Sequence, residues 1–313
     1  MDYSQITQAD VDGFRANLNM TPQVMESVYL PHVNADYAYS AEGKLFNADE
    51  IGTSDPKDID TVVPDSPEGL VDMTRRVGSF KGFHDGKFIE SVQKVHQLQD
   101  PTDSVMKAMR AGKMRKHDAL VRNSFFAPVR IGEEGENSLD FPTSRIIGVA
   151  DRKFLHQEEV PGLPASGALP LTTGKLARAW NLISKSYILK LFPNARPKIA
   201  VRSDDISQLL STIPVTSGDY NAVKRLENGE ITTFKKFEFV IDEDVNLKAG
   251  STDTYLLPCW LDQAIQVKIR EIHMATITLR ADKSMRPYAY YESQHGALRA
   301  FDGGVVGIEV KDL

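Results

Sequence analysis

One cysteine, Cys259, stands in a chain of 313 residues, which excludes an internal disulfide and any metal site built on several thiolates. No apolar run approaches the roughly 18 residues that cross a bilayer as a helix. The opening MDYSQITQAD lacks the basic stretch and apolar run of a secretory signal. No membrane partner is expected. Internal repeats and low-complexity tracts are absent as well, so a repeat architecture is not expected.

Patterns that carry chemistry are equally scarce. In GALPLTTGKL six residues separate Gly167 from Gly174, and Leu176 follows Lys175. A phosphate-binding loop needs four, then Ser or Thr after the lysine, so Gly174 and Lys175 read as an ordinary helix start. The seven histidines, His32, His84, His96, His117, His156, His273 and His295, include no two that are three or four residues apart. The adjacent pair His117 and Asp118 would point about 100° apart on a helix, so these residues read as solvated polar groups rather than metal ligands. Cys259 lies among apolar residues in YLLPCWL, where a thiol behaves as a small hydrophobe with a raised pKa. A Cys259–His273 pair would lack a visible orienting group. Asp204 and Asp205 read as a helix start, Glu158 and Glu159 as a loop. No catalytic residue, cofactor or metal is expected.

What is present is a globular composition, 41% hydrophobic and 26% charged, with room for one large or two ordinary domains. The net charge of −6 is unevenly spread: residues 1–70 hold 13 Asp or Glu against Arg15, Lys44 and Lys57. Such an acidic arm on a mildly basic body fits either simple solubility or a contact within or between chains. Lys44 to Leu70, KLFNADEIGTSDPKDIDTVVPDSPEGL, is acidic, broken by Pro56, Pro64 and Pro67, and too poor in large apolar residues to pack a core. A segment of this kind takes a fixed path only against something else.

Along the chain, Val11, Phe14 and Leu18 predict a short helix over 8–18. Glycines at 78, 82 and 86 punctuate short strands. The longest helix is expected over 102–126, capped by Thr102 or Asp103 and ended by Pro128, with a basic middle of Lys107, Arg110, Lys113, Arg115 and Lys116. Leu176, Trp180, Ile183, Tyr187 and Leu191 mark one apolar face of a helix ending before Pro193. KIAVR reads as a buried strand and SDDISQLL as a helix capped by Ser203. DYNAVKRLENG reads as a helix capped by Ser217 or Asp219 and stopped by Gly229. In FEFVID, Phe237, Phe239 and Ile241 would form the buried face of a strand. Two long strands should meet near Asp282–Ser284, and LRAFDGGVVGIEV reads as a hairpin turned at Asp302–Gly304. The class is α+β, with one discontinuous organisation.

The order of these motifs resembles that of tailed-phage major capsid proteins of the Hong Kong 97-like fold. LTTGKLARAWNLISKS, KIAVRSDDISQLL and VTSGDYNAVKRLENGEITTFKKFEFVIDED follow the family's block of helix, strand, short helix, Ser-x-Asp-Tyr helix and strand. The segment with Trp260, the RADKSMRPYAYYES hairpin and HGALRAFDGGVVGIEV match its ending. The resemblance covers residues 90–313 by motif and the first 90 by organisation only.

It implies an N-terminal arm (1–34), an extended loop (35–88), a peripheral domain with a spine helix (89–126), an axial domain (127–265) and returning peripheral strands (266–313). It also implies a structural subunit that self-assembles into hexamers and pentamers of an icosahedral shell around double-stranded DNA. Scaffolding would come from a separate protein, a portal protein would occupy one vertex, and a cement protein is a further partner the family allows. The location implied is the virion capsid, assembled in the bacterial host cytoplasm. The extended loop of such a subunit lies across its neighbour, so Asp49, Glu50, Asp55, Asp58 and Asp60 are expected to face Lys107, Arg110, Lys113, Arg115 and Lys116 of the next copy. The rival expectation for that basic helix is non-specific contact with packaged DNA. Two other readings stay open: a bacterial encapsulin shell of the same fold, and an α+β enzyme using Cys259 or a histidine.

Overall fold

The computed structural model describes residues 26–312 apart from 38–42, 53, 55, 57, 59–70, 89–100, 155–166 and 214–217. The helix expected over 8–18 therefore lies outside the described residues, as do Ser217, Glu158 and Glu159. Strands β1 (Asn34–Asp36), β2 (Leu45–Ile51), β3 (Met73–Ser79) and β4 (Lys81–Phe88) precede the long helix α1 (Pro101–Ser124). Strands β5 (Val129–Ile131), β6 (Asn137–Leu139) and β7 (Ile146–Ile147) lead to α2 (Thr173–Lys185), α3 (Ile188–Leu191), β8 (Lys198–Val201), α4 (Ser203–Ser211) and α5 (Gly218–Glu227). Strands β9 (Thr233–Phe234), β10 (Phe237–Ile241), β11 (Thr254–Trp260), β12 (Ile265–Arg280), β13 (Arg286–Arg299) and β14 (Val305–Lys311) complete the chain.

These strands form three sheets, ordered β1-β12-β13-β4, β7-β14-β11-β8-β10-β9 and β2-β3-β5-β6. The α+β class is therefore realised as one helix-covered mixed sheet, one long hairpin with an edge strand on each side, and one small antiparallel sheet. The main core joins α2, through Leu176, Ala179 and Ile183, to Ile199 of β8, Leu257 of β11 and Ile308 of β14. Each fully buried side chain of this size contributes about 1.5–3 kcal/mol.

Helix α1 links two of these layers because its buried positions recur at helical spacing. Met109 packs on Ala289 and Tyr291 of β13. Val121 and Phe125, further along the chain and turned to another side, enter the main core beside Trp260, whose ring centroid is 4.8 Å from that of Phe125. The Trp260 indole N–H donates to the His32 carbonyl at 2.7 Å, which fixes the N-terminal segment against the same point.

Several local expectations need correction. Helix α1 begins at Pro101, so Thr102 and Asp103 lie inside its first turn, where the fixed φ of proline suits the opening position. The helix expected to run on through Leu191 breaks after Lys185. Tyr187 adopts the left-handed conformation, φ 57°, and both Tyr187 and Leu191 are exposed. The Ser186 hydroxyl lies within hydrogen-bond distance of the carbonyls of Ile183 and Gly303 at that break, 2.6 and 2.8 Å away, and donates its one proton between them. Arg202, not Ser203, is the cap of α4, and its backbone N–H donates to Asp205 at 2.9 Å. In β10 both Phe239 and Val240 are buried and Ile241 is exposed, because the sheet is packed on both faces and alternation is lost. Residues Asp302–Gly304 do not turn a hairpin: β13 pairs with β12 and β4, whereas β14 pairs with β11 and β7. The chain crosses there from one sheet to another.

Candidate subunit interface

The acidic loop is carried on the β2–β3 ladder, in which Asp49 faces Arg75, Glu50 faces Thr74 and Ile51 faces Met73. Asp49 accepts from the Arg75 Nε–H at 2.9 Å, and that hydrogen bond holds its carboxyl below the usual range. Glu50 accepts from Arg76 at 3.3 Å. Both acidic residues thus have a partner within the chain. Asp58 is exposed, and Asp55 and Asp60 lie outside the described residues.

The basic residues of α1 differ in exposure. Lys107, Arg110, Arg115 and Lys116 are exposed. Lys113 is engaged at home: its ammonium donates to Glu271 on β12 and lies 5.9 Å from the centre of the Tyr291 ring. Between α1 and the β12–β13 hairpin opens a pocket of about 440 Å³, with Met106, Met109 and Met114 among its walls. Sequence spacing alone had no means of finding it, since Glu271 and Tyr291 come from strands more than 150 residues away.

The base of the loop is tied to the rest of the molecule through a buried ionic knot. Asp302 accepts from Arg76 at 2.9 and 3.1 Å and from the Arg299 Nε–H at 2.6 Å. Burial alone would raise the Asp302 pKa, but the two guanidinium groups outweigh it and hold the carboxyl below its ordinary value. Arg299, fully buried, also donates to the carbonyls of Phe125 and Ala127 just past the end of α1, at 2.9 and 2.8 Å. A second knot lies near the start of the described chain. Asp118 of α1 accepts from the Ser27 hydroxyl and from the Val28 N–H, and Asp242 accepts from Tyr29 and, through two hydrogen bonds, from Arg122.

Among the described residues the remaining polar groups are placed as follows. Cys259 is fully buried, which pushes its thiol pKa up, and it sits on β11 while His273 belongs to β12 in a different sheet. Lys175 turns inward, donating to the carbonyls of Leu169 and Glu309 at 2.8 Å each, with its pKa lowered to about 7 by burial. His117 and His295, expected to be solvated, are both buried and face one another, because the side of α1 that carries His117 packs on β13. Among the described residues no three His, Cys, Asp or Glu side chains gather at metal distance.

A family model for phage capsid proteins matches residues 6–312. No curated protein sequence matches the chain. Solved structures similar to it include that of Mycobacterium phage Che8, at 13% identity, with 93% of this chain and 94% of that chain covered and a TM-score of 0.62. The capsid of Ralstonia phage GP4 is similar at 10% identity, 94% and 93% coverage and a TM-score of 0.64. The Cyanophage Pam1 capsid asymmetric unit is similar at 11% identity, 95% coverage of both chains and a TM-score of 0.64.

Proposed function

The chain belongs to the phage capsid protein family, and from that premise we propose that it builds an icosahedral shell of hexamers and pentamers around double-stranded DNA. As a member of that family it is a structural capsid protein and not an enzyme. The Hong Kong 97-like fold, the virion as its location and self-association as its mode of action go with that membership. An encapsulin compartment and a Cys259-based enzyme are the readings not favoured.

Within this reading, residues 1–34 are an arm, 35–88 an extended loop laid over the neighbouring subunit, 89–126 and 266–313 a peripheral domain, and 127–265 an axial domain. A separate scaffolding protein directs assembly in the host cytoplasm, a portal protein takes one vertex, a cement protein is an optional outer partner, and packaged DNA is met through non-specific basic contacts. The observation that carries the loop's role is the exposed apolar pair at its end: Ile51 and Met73 are each 68% exposed although they are cross-strand partners. Large apolar side chains grouped on a surface mark a contact site.

The test is negative-stain microscopy and sedimentation of the purified chain, expressed alone and with the scaffolding protein. Closed particles of uniform size are the expected result. A chain that remains monomeric in both preparations would count against shell formation, and an enclosed enzyme in place of nucleic acid would favour the compartment.

A further inference from the structure

The turn between β9 and β10 is built against its own conformational preference. Phe234 and Phe237 are cross-strand partners, which leaves Lys235 and Lys236 as a two-residue loop. Both lysines adopt the left-handed conformation, with φ 47° and 73°. A loop of this kind is ordinarily filled by Asn-Gly, for which positive φ carries little strain. Other residues held there store strain, and such positions cluster where ligands are clamped.

What the lysines gain is position. Lys235 pairs with Asp219 of α5 at 2.6 Å, and the Lys236 ammonium lies 4.2 Å from the centre of the Trp180 ring on α2. Beside them opens a pocket of about 360 Å³ walled by Trp180, Pro197 and Phe234, and by the exposed Arg196. Neither Arg196 nor Lys236 meets a carboxylate among the described residues. Asp219 on α5 and Glu238 on β10 are matched to Lys235 and Lys198. Two unmatched cations beside an aromatic wall call for a ligand that joins negative charge to a large apolar group.

The backbone narrows the kind of ligand. Strand β9 ends its sheet. The Phe239 N–H donates to the Thr232 carbonyl at 2.8 Å and Phe234 pairs with Phe237, so Thr233, between these pairs, turns its own N–H and C=O to the free side. Thr233 is exposed and lines the pocket. A free strand edge beside an apolar pocket suits an extended peptide, whose main chain adds to the edge and whose side chain fills the pocket. Single-stranded nucleic acid is instead held by cations that track along its backbone, and the walls here offer two.

We propose that this pocket binds an extended acidic peptide of a partner protein, an apolar side chain entering against Trp180 and flanking carboxylates meeting Arg196 and Lys236. The inference goes beyond shell formation and does not depend on it.

Intrinsic fluorescence of the full, unassembled chain tests it. The chain has two tryptophans and Trp260 is fully buried in the core, so a ligand-induced change reads Trp180. Titration with acetyl-Asp-Glu-Phe-Asp-Glu-amide is expected to give a saturable shift that Trp180→Phe abolishes, and acetyl-Lys-Lys-Phe-Lys-Lys-amide to give none. Arg196→Ala, and Lys235→Asn combined with Lys236→Gly, should each raise the half-saturating concentration by about threefold or more. Lys283→Ala, on the β12–β13 turn in another sheet, should leave it unchanged. The Asn-Gly variant, relieved of strain, should also melt higher, so its weaker binding cannot be put down to misfolding. No saturable shift, equal binding of the basic peptide, unaltered binding by the Asn-Gly variant, or tighter binding of single-stranded oligo(dT) would overturn the peptide assignment. A Trp180 shift that follows chain concentration without added peptide would overturn it too, by giving the pocket to a second copy.

Discussion

His117 on α1 and His295 on β13 meet through their Nδ1 atoms, 2.8 Å apart, with both rings buried and both Nε2 atoms lacking a partner among the described residues. Only one of the two Nδ1 atoms can carry the shared proton, so the rings are held in opposite tautomers. Burial, reinforced by the nearby Lys113 charge, lowers His117 to about 4, and burial with the neighbouring His117 and Lys113 lowers His295 to about 3.

A pH dependence follows from this pair. Histidine in the unfolded chain titrates near about 6.5, so below that pH the unfolded state binds protons that the folded pair refuses. Stability should therefore fall as pH drops from about 6.5 towards about 4, since the slope follows the excess of protons on the unfolded chain. Thermal unfolding of the free subunit across this range measures it. Replacing both residues, His117→Leu with His295→Leu, is expected to flatten the slope. A slope as steep as that of the unaltered chain would show that other groups govern the acid limb.

Removing the carboxylate of Asp302 should be among the most damaging single changes. Arg76 and Arg299, 5% and 0% exposed, would then share a buried site whose remaining counter-charge is Glu50, a partly exposed partner of Arg76 alone. Breaking a buried pair in this way costs about 3–5 kcal/mol. Asp302→Ala is expected to lower the denaturation midpoint by a corresponding amount, whereas Asp49→Ala, which removes an exposed partner of Arg75, should change it by about 1 kcal/mol or less. Equal effects from the two would contradict the burial argument. Arg299→Lys should also destabilise, because an ammonium cannot serve Asp302 and the Phe125 and Ala127 carbonyls in the fixed fork of a guanidinium.

Phe46 makes a third, steric test. Its ring lies against Gly78 on the facing strand and against Gly296 of β13, and a Cβ at either glycine would stand inside the ring's van der Waals envelope. Gly78→Ala and Gly296→Ala are expected to cost about 1–3 kcal/mol each through overpacking. Gly82→Ala, whose new methyl would meet only the Gln294 side chain at 3.7 Å, should be nearly neutral by the same denaturant titration.

These particulars show where sequence reading stops. Helix α1 and the strands β12 and β13 were legible because long periodic runs outweigh local detail. The crossing at Asp302 was not, since Asp-Gly-Gly ordinarily signals a tight hairpin turn. What sets its path is a carboxylate held by Arg76, 226 residues distant in sequence. Tyr187 was misread because apolar spacing carries no mark of a left-handed backbone. At the candidate interface, the acidic loop and basic helix were visible as composition. The engagement of Asp49, Glu50 and Lys113 within the chain depends on strand register and on Glu271, which charge counting does not reach.

The last prediction separates folding from assembly. Gly52 and Asp72 close the β2–β3 ladder, with the Gly52 N–H donating to the Asp72 carbonyl at 2.7 Å. The described core clusters draw on Phe46 and Ala48 inside the ladder and on nothing between Ile51 and Met73. Replacing residues 53–71 with a two-residue Asn-Gly turn, the geometry that suits a closed hairpin, should therefore keep the subunit folded, with its circular dichroism and Tm preserved. Shortening a long loop should even lower the entropic cost of folding slightly, by about 0.6 kcal/mol for each halving of its length. Particle formation should nevertheless be lost or strongly reduced, because in the proposed shell this segment is the part laid over the neighbouring subunit. A variant that unfolds would mean that residues 53–71 pack within their own subunit, and one that assembles normally would mean that the contact between copies is made elsewhere on the chain.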